Sequence, residues 1–386
     1  MLRREFVGGM VSAGVCIWAA NAAPIAGLTP IQMRVKAQLD LNLSDELTIG
    51  AVMMAVQHDE VLALEAAGYM DSATKIPMRT DAIFDIRSVS KPITVFAGLQ
   101  LVDADKLTLD DPISRFLPEF VHATVKGEEH PARVPITIRQ LMTHTSGIPE
   151  QRPLQLENIT RTFDRTLAED VALVAQQPLD FEPGTKWAYS SSGIAVLGRI
   201  IEIVSGEPFE KFMQERIFAP LEMEDSSFFT NPAKIARIPT MYNLVNGHLV
   251  KDEMDVTRPH QKYSAPEFGM FSTAENLRHF GQMMLNRGIW KDRRMLSEGL
   301  IDSMVTPAWQ TTTPKYHAGL GWAIRTGGET QEMSYAATDG SYGANGASGC
   351  IVWIDPAIQL IRIYLTHYFL GDFRDGNLVM NAAFPG

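Results

Sequence analysis

Two cysteines in 386 residues, Cys16 and Cys350, are too few for a disulfide framework. Basic residues are also scarce: 34 Lys and Arg stand against 45 Asp and Glu, for a net charge of -11 and a pI of about 5.3. No segment gathers lysine or arginine into the patch that nucleic acid or an anionic bilayer requires, so neither is expected as the main partner. No internal repeat or long low-complexity linker breaks the chain. It has no H-E-x-x-H and no group of ligands at metal spacing, so His144, in Thr143-His144-Thr145-Ser146-Gly147, reads as a turn residue. Neither a metal nor an organic cofactor is expected. The absence of G-x-S-x-G removes the nucleophile elbow of the α/β hydrolases.

What is present is apolar bulk. With 45% hydrophobic and 20% charged residues the chain can bury a large core, as one big domain or two intimately packed ones. At the N-terminus Arg3-Arg4 precede a weakly apolar run, Val7 to Ala19, and then Ala20-Asn21-Ala22, an A-x-A cleavage signal. That run is too short to span a bilayer, and residues 1–22 read as a twin-arginine export signal, which implies a periplasmic or otherwise exported protein with no stable membrane insertion after cleavage. Cleavage would remove Cys16 and leave Cys350 alone, which suits export of an already folded chain.

Along the mature chain, Glu46 to Ala66 alternates as hairpin strands do, and IFDI before Arg87 reads as another strand. From Ser88 to Val102 apolar residues recur at helical spacing: Val89, Ile93, Val95, Phe96, Leu99 and Val102. Helices are predicted at Ile138 to Met142, Leu167 to Ala175, Ser191 to Val204 and Thr273 to Asn286. Tyr316 to Ile324, Ala347 to Ile354 and Leu360 to His367 return to strand composition. The two ends thus supply strands and the middle supplies helices. This suggests an α+β chain in which a sheet domain with flanking helices, residues 28–108 and 311–386, is interrupted by a mainly helical one, 109–310.

The stretch RSVSKP, Arg87 to Pro92, carries the chemistry. A serine hydroxyl is a poor nucleophile unless a base stands beside it, and three residues on, a helix sets Lys91 on the same face as Ser88. The first-turn N–H groups have no helical partners and can face a developing oxyanion. Pro92 fits the first turn, where its missing donor matters least. Alone, S-x-x-K is equally well a helix cap followed by a solvated lysine.

The wider pattern decides between these readings. FDIRSVSKPITVFAGLQLVD, LTLDDPISRFLPEF, ITIRQLMTHTSGIP, WAYSSSGIAVLGRIIEIVSG with APLEMEDSSFF, and GMFSTAENLRHFGQMMLN follow one another as in the penicillin-recognising serine hydrolases. That superfamily contains class C β-lactamases, D-alanyl-D-alanine peptidases and β-lactamase-like esterases, and the chain resembles it from about Glu46 to Phe369. The resemblance implies the β-lactamase/transpeptidase-like fold: an antiparallel sheet flanked by helices, a mainly helical second domain, and a cleft between them. It makes Ser88 the nucleophile, Lys91 its base or proton relay, and Tyr189 the residue that shuttles a proton to the leaving group. Where the family commonly has asparagine this chain has Ser191, as a substrate-binding residue with shorter reach.

The family's third motif stands before WIDP, on what reads as a sheet-edge strand. Relatives of the esterase-like branch have approximately G-S-Y-G-H-G-G-A there, and this chain has Gly340-Ser341-Tyr342-Gly343-Ala344-Asn345-Gly346-Ala347. Without a gap, Ala344 takes the place of a histidine, lysine or tryptophan, with Asn345 and Gly346 beside it in the substrate-binding strand. Ala347 then donates the second oxyanion N–H. Registers centred on Thr338-Asp339-Gly340 or Ser341-Tyr342-Gly343 are the alternatives. With no cation at Ala344 to hold a substrate carboxylate, small carboxylic esters are the expected substrates of an acyl-enzyme hydrolase. D-amino peptidase, amidase or weak β-lactamase activity is the alternative within the enzyme class. The alternative outside it is an inactive periplasmic binding protein of the same fold.

Overall fold

Thr29 opens the first helix, α1 (Pro30–Ser44), with a capping box: its hydroxyl accepts the Gln32 N–H while the Gln32 side chain accepts the Thr29 N–H. Pro30 fills the first helical position, where no donor is needed. In this computed structural model the described residues are 28–369 and 374–383, apart from 46, 129, 151–162, 246–247, 253–257, 259–260, 311–316 and 328–336. The export segment read at residues 1–22 lies outside them.

The strands β1 (Gly50–Gln57) and β2 (Glu60–Gly68) form a hairpin turned by His58 and Asp59, both at positive φ, 50° and 65°. This is the left-handed pair that a two-residue hairpin turn requires. Six further strands come from the other end of the chain: β3 (Trp309–Gln310), β4 (His317–Ala318), β5 (Ala323–Ile324), β6 (Tyr342–Asn345), β7 (Ile351–Asp355) and β8 (Leu360–Thr366). The sheet runs β2-β1-β8-β7-β6-β5-β4-β3, antiparallel throughout. The link between the two ends of the chain is β1 on β8, in register from Ala51 opposite Thr366 to Gln57 opposite Leu360.

Both faces of this sheet are covered, which is why β1 and β8 are buried almost along their whole length and β1 carries a near-continuous apolar run. Val52, Met54, Val56, Val352, Ile361 and Ile363 join the large core, while Ala51, Met53, Ala55, Trp353 and Tyr364 face a smaller one. On the smaller side lie α1 and the last helix, Arg374–Ala383. On the larger side the middle of the chain supplies α2 (Ser90–Asp103), α3 (Ile138–Met142), α4 (Leu167–Val174), α5 (Ser191–Ser205), α6 (Phe209–Met213), α7 (Ala274–Leu285) and α8 (Glu298–Val305). One apolar core runs from the sheet through α2, α5 and α7. The fold is the expected one, a β-lactamase/transpeptidase-like arrangement with a large antiparallel sheet and many helices.

The third motif departs from its expected place at a sheet edge. Its strand, β6, is interior, with β7 on one side and β5 on the other. The strands that bury this edge are two residues each, too short to show a period-2 pattern in sequence.

Candidate active site

The short strand Phe84–Asp85 pairs with Phe271–Ser272, and the Ile86 N–H donates to the Met270 carbonyl at 3.1 Å. Arg87 then takes φ of +48°, and Arg87–Val89 form a 3₁₀ turn before α2 begins at Ser90. Ser88 therefore sits on the tighter turn and not in the α-helix its spacing suggests. In 3₁₀ geometry residues three apart eclipse one another, which draws Lys91 over Ser88. The Lys91 Nζ lies 2.9 Å from Ser88 Oγ and donates to the Glu267 carbonyl at 2.9 Å. Lys91 is buried while Ser88 is half-buried, open enough to meet a substrate.

The left-handed residue before Ser88 is held by charge. The Asp85 carboxylate accepts the Arg87 N–H at 3.4 Å, pairs with Arg87 Nε at 3.1 Å and pairs with Arg258 Nη2. Arg258 donates to the Gly269 carbonyl at 3.1 Å and lies over the rings of Phe163 and Phe271, 4.3 and 4.5 Å from their centroids. Burial pulls its pKa down to about 10 against the opposing pull of Asp85, so it stays a cation at neutral pH. Sequence reading missed this cluster. Asp85 and Arg258 are 173 residues apart and no local pattern joins them.

Tyr189, just before α5, borders the same point. Lys91 Nζ stands 4.8 Å from its ring centroid, and the ring is 39% exposed, so it borders the open side of the site. His144 supports it from behind, with ring centroids 4.7 Å apart, and its Nδ1 accepts the Ser190 N–H at 3.2 Å. Burial, and then the Lys91 charge, push the His144 pKa down to about 3, leaving it a neutral acceptor. No group of His, Cys, Asp and Glu among the described residues could hold a metal ion. Ser190 caps α5 through the Gly193 N–H at 3.0 Å, and Ser191 Oγ donates to Glu150 at 2.9 Å while its N–H meets the same carboxylate. An acid at a helix N-terminus is favourable, and Glu150 is a second residue the sequence did not announce.

On β6, Tyr342 and Ala344 face the large core with Val352 and Ile354 opposite, while Asn345 lies opposite Ile351 and belongs to the other face. Strand alternation thus separates Asn345 from Ala344, and the two cannot line one pocket wall as adjacent substrate-binding side chains. Gly346 is the point of closest approach: a Cβ there would lie 2.2 Å from the Ile86 carbonyl oxygen and 3.3 Å from Arg87 Cβ. Only glycine lets the strand lie against the turn that carries Ser88. Its N–H bonds the Cys350 carbonyl at 2.7 Å, closing the turn that holds the half-buried Ala347.

The chain is similar to known proteins in sequence and fold. A family model described as Beta-lactamase matches residues 39–383. "Protein Rv1367c" of Mycobacterium tuberculosis is 32% identical over 358 residues, covering 83% of this chain and 86% of that one. "Esterase EstB" of Burkholderia gladioli is 32% identical over 247 residues, 61% of each chain. Among solved structures, "EstCE1, a hydrolase with promiscuous acyltransferase activity" superposes with a TM-score of 0.81 at 23% identity, covering 92% of this chain and 98% of that one, a likeness of fold. With the serine-lysine pair on its turn, the buttressed tyrosine and a family match over most of its length, the chain belongs to the Beta-lactamase family of serine hydrolases.

Proposed function

We propose that the protein is an exported hydrolase of small carboxylic esters, acting through an acyl-enzyme on Ser88. The observation that carries the reading is the 2.9 Å contact between the buried Lys91 amine and the half-buried Ser88 hydroxyl. As a neutral amine Lys91 takes the Ser88 proton while Oγ attacks the ester carbonyl. The tetrahedral oxyanion is received by the N–H groups of Ser88 and Ala347. Collapse expels the alkoxide, protonated through Tyr189 and Lys91, and leaves acyl-Ser88 and an alcohol. Water then adds to the acyl group by the same relay, releasing the acid and restoring the serine.

Esters are favoured over carboxylated lactams and peptides because Ala344, standing where the resemblance expects a charged or hydrogen-bonding side chain, has only a methyl group to offer a carboxylate. An uncharged ester entering the cleft loses no carboxylate hydration. The relative named as an esterase supports the same substrate class. A fluorophosphonate probe with intact-mass measurement tests the reading. One adduct on wild-type protein, absent in Ser88→Ala, is expected; no adduct on wild type would refute it and favour a binding role.

Export rests on Arg3-Arg4 and Ala20-Asn21-Ala22, outside the described residues. Among the described residues no helix is long and apolar enough to cross a membrane. Protein recovered from the periplasm should begin near Ala23, whereas recovery of the full chain in the cytosol under native expression would count against export.

A further inference from the structure

We infer that Glu267, together with Tyr263 and Asp170, is a positioning device for Lys91; the inference rests on the reading of Lys91 as the base. The segment from Ser264 to Met270 runs as a strap beside the nucleophile turn and α2. Pro266 offers its carbonyl to Thr94 Oγ1 at 2.6 Å, Glu267 its carbonyl to Lys91 Nζ at 2.9 Å, and Met270 its N–H to Ser90 Oγ at 3.2 Å. The strap is tightly turned. Ala265 has φ of +46°, and its carbonyl accepts N–H groups from Phe268 at 3.1 Å and Gly269 at 2.7 Å. A left-handed alanine carries a conformational cost, so contacts elsewhere must hold the turn in place.

Those contacts are the side chains of the strap. The Tyr263 hydroxyl lies 2.6 Å from Glu267 Oε1 and 3.0 Å from Asp170 Oδ2 on α4, and all three residues are fully buried. The Tyr263 hydroxyl thus ties the side chains of Glu267 and Asp170 into one buried network, in which each member fixes the others. On the other side α5 has Gly198, where a Cβ would come within 2.3 Å of the Pro266 ring. Pinned by its side chain and wedged at Pro266, residue 267 cannot swing its carbonyl away from Lys91.

This matters in both charge states of the amine. As an ammonium, Lys91 donates to Ser88 Oγ and to the Glu267 carbonyl. As a neutral amine it keeps one N–H on that carbonyl, which turns the lone pair toward the Ser88 hydroxyl. The acid side chain thus acts on the base through its own backbone and touches no reacting atom.

The test is steady-state kinetics on a chromogenic neutral ester with Glu267→Ala, Glu267→Gln and Tyr263→Phe, each checked by circular dichroism and thermal melting. Glutamine keeps a side-chain oxygen for the Tyr263 hydroxyl at the same reach, and is expected to keep kcat within threefold of wild type. Folded Glu267→Ala and Tyr263→Phe are expected to lose at least fivefold in kcat with KM within threefold. If Glu267→Ala does not fold, Tyr263→Phe, which removes a single oxygen, decides alone. A kcat within fivefold of wild type in the folded variants overturns the inference, as does a glutamine variant as impaired as the alanine one. Ser88→Ala runs alongside: if it keeps full turnover, the catalytic reading has failed, and not merely the positioning one.

Discussion

His144 lies beside Tyr189 with ring centroids 4.7 Å apart, and its Nδ1 accepts the N–H of Ser190, so one neutral imidazole braces both the tyrosine and the start of α5. Its backbone is left-handed, φ +58°, and its carbonyl accepts the Ala188 N–H at 3.0 Å. The block around His144 and the block around Tyr189 are thereby locked together on the side of the site facing Lys91.

If Lys91 and Tyr189 transfer protons as proposed, loss of either should stop turnover before it stops folding. Lys91→Ala and Tyr189→Phe are each expected to lower ester turnover by about 100-fold or more. Rates on a short-chain chromogenic ester check this. A Lys91→Ala enzyme with near wild-type turnover would show that another group is the base.

Acid should weaken the fold through its buried histidines. His144 has its pKa depressed to about 3 and His367 to about 4, in both cases chiefly by burial. Below about pH 6.5, where an unfolded histidine begins to bind a proton, the unfolded chain takes up protons that the folded one refuses. Stability therefore falls as pH drops from about 6.5 toward 4. Melting temperatures across that window should show the decline, with a shallower slope in His144→Asn. Equal slopes would mean that His144 titrates normally.

At Ala344 a new cation should redirect specificity. Ala344→Lys or Ala344→His is expected to raise kcat/KM for a carboxylated ester relative to its neutral analogue by about tenfold, near the value of one charge-assisted hydrogen bond. Matched leaving groups isolate the charge effect. No change in the ratio would point to another residue at the substrate carboxylate.

Gly346→Ala should harm both fold and rate. The added methyl would meet the Ile86 carbonyl at 2.2 Å, which forces the end of β6 away from the turn that carries Ser88. Overpacking of this kind costs about 1–3 kcal/mol, measurable by urea denaturation. Because the same shift moves Ala347 relative to Ser88, turnover is expected to drop at least tenfold. Unchanged turnover would remove Ala347 from the oxyanion site.

The sequence by itself determined several of the middle helices and the placing of Lys91 beside Ser88. Periodicity placed helices at Ile138, Leu167, Ser191 and Thr273 to within a residue or so of α3, α4, α5 and α7, because each has a Ser or Thr N-cap and an apolar stripe. The run of blocks around Ser88, Lys91 and Tyr189 announced the family, and with it the fold. Tertiary structure alone decided the rest. The interior place of β6 depends on flanking strands of two residues, and the face of Asn345 depends on register with Ile351. The 3₁₀ turn under Ser88 depends on Asp85 and Arg258, and the aim of Lys91 on the carbonyl of Glu267. The contacts of Asp85 with Arg258 and of Lys91 with Glu267 join residues far apart in the chain, and a pattern confined to neighbours carries no signal for a partner 173 or 176 positions away.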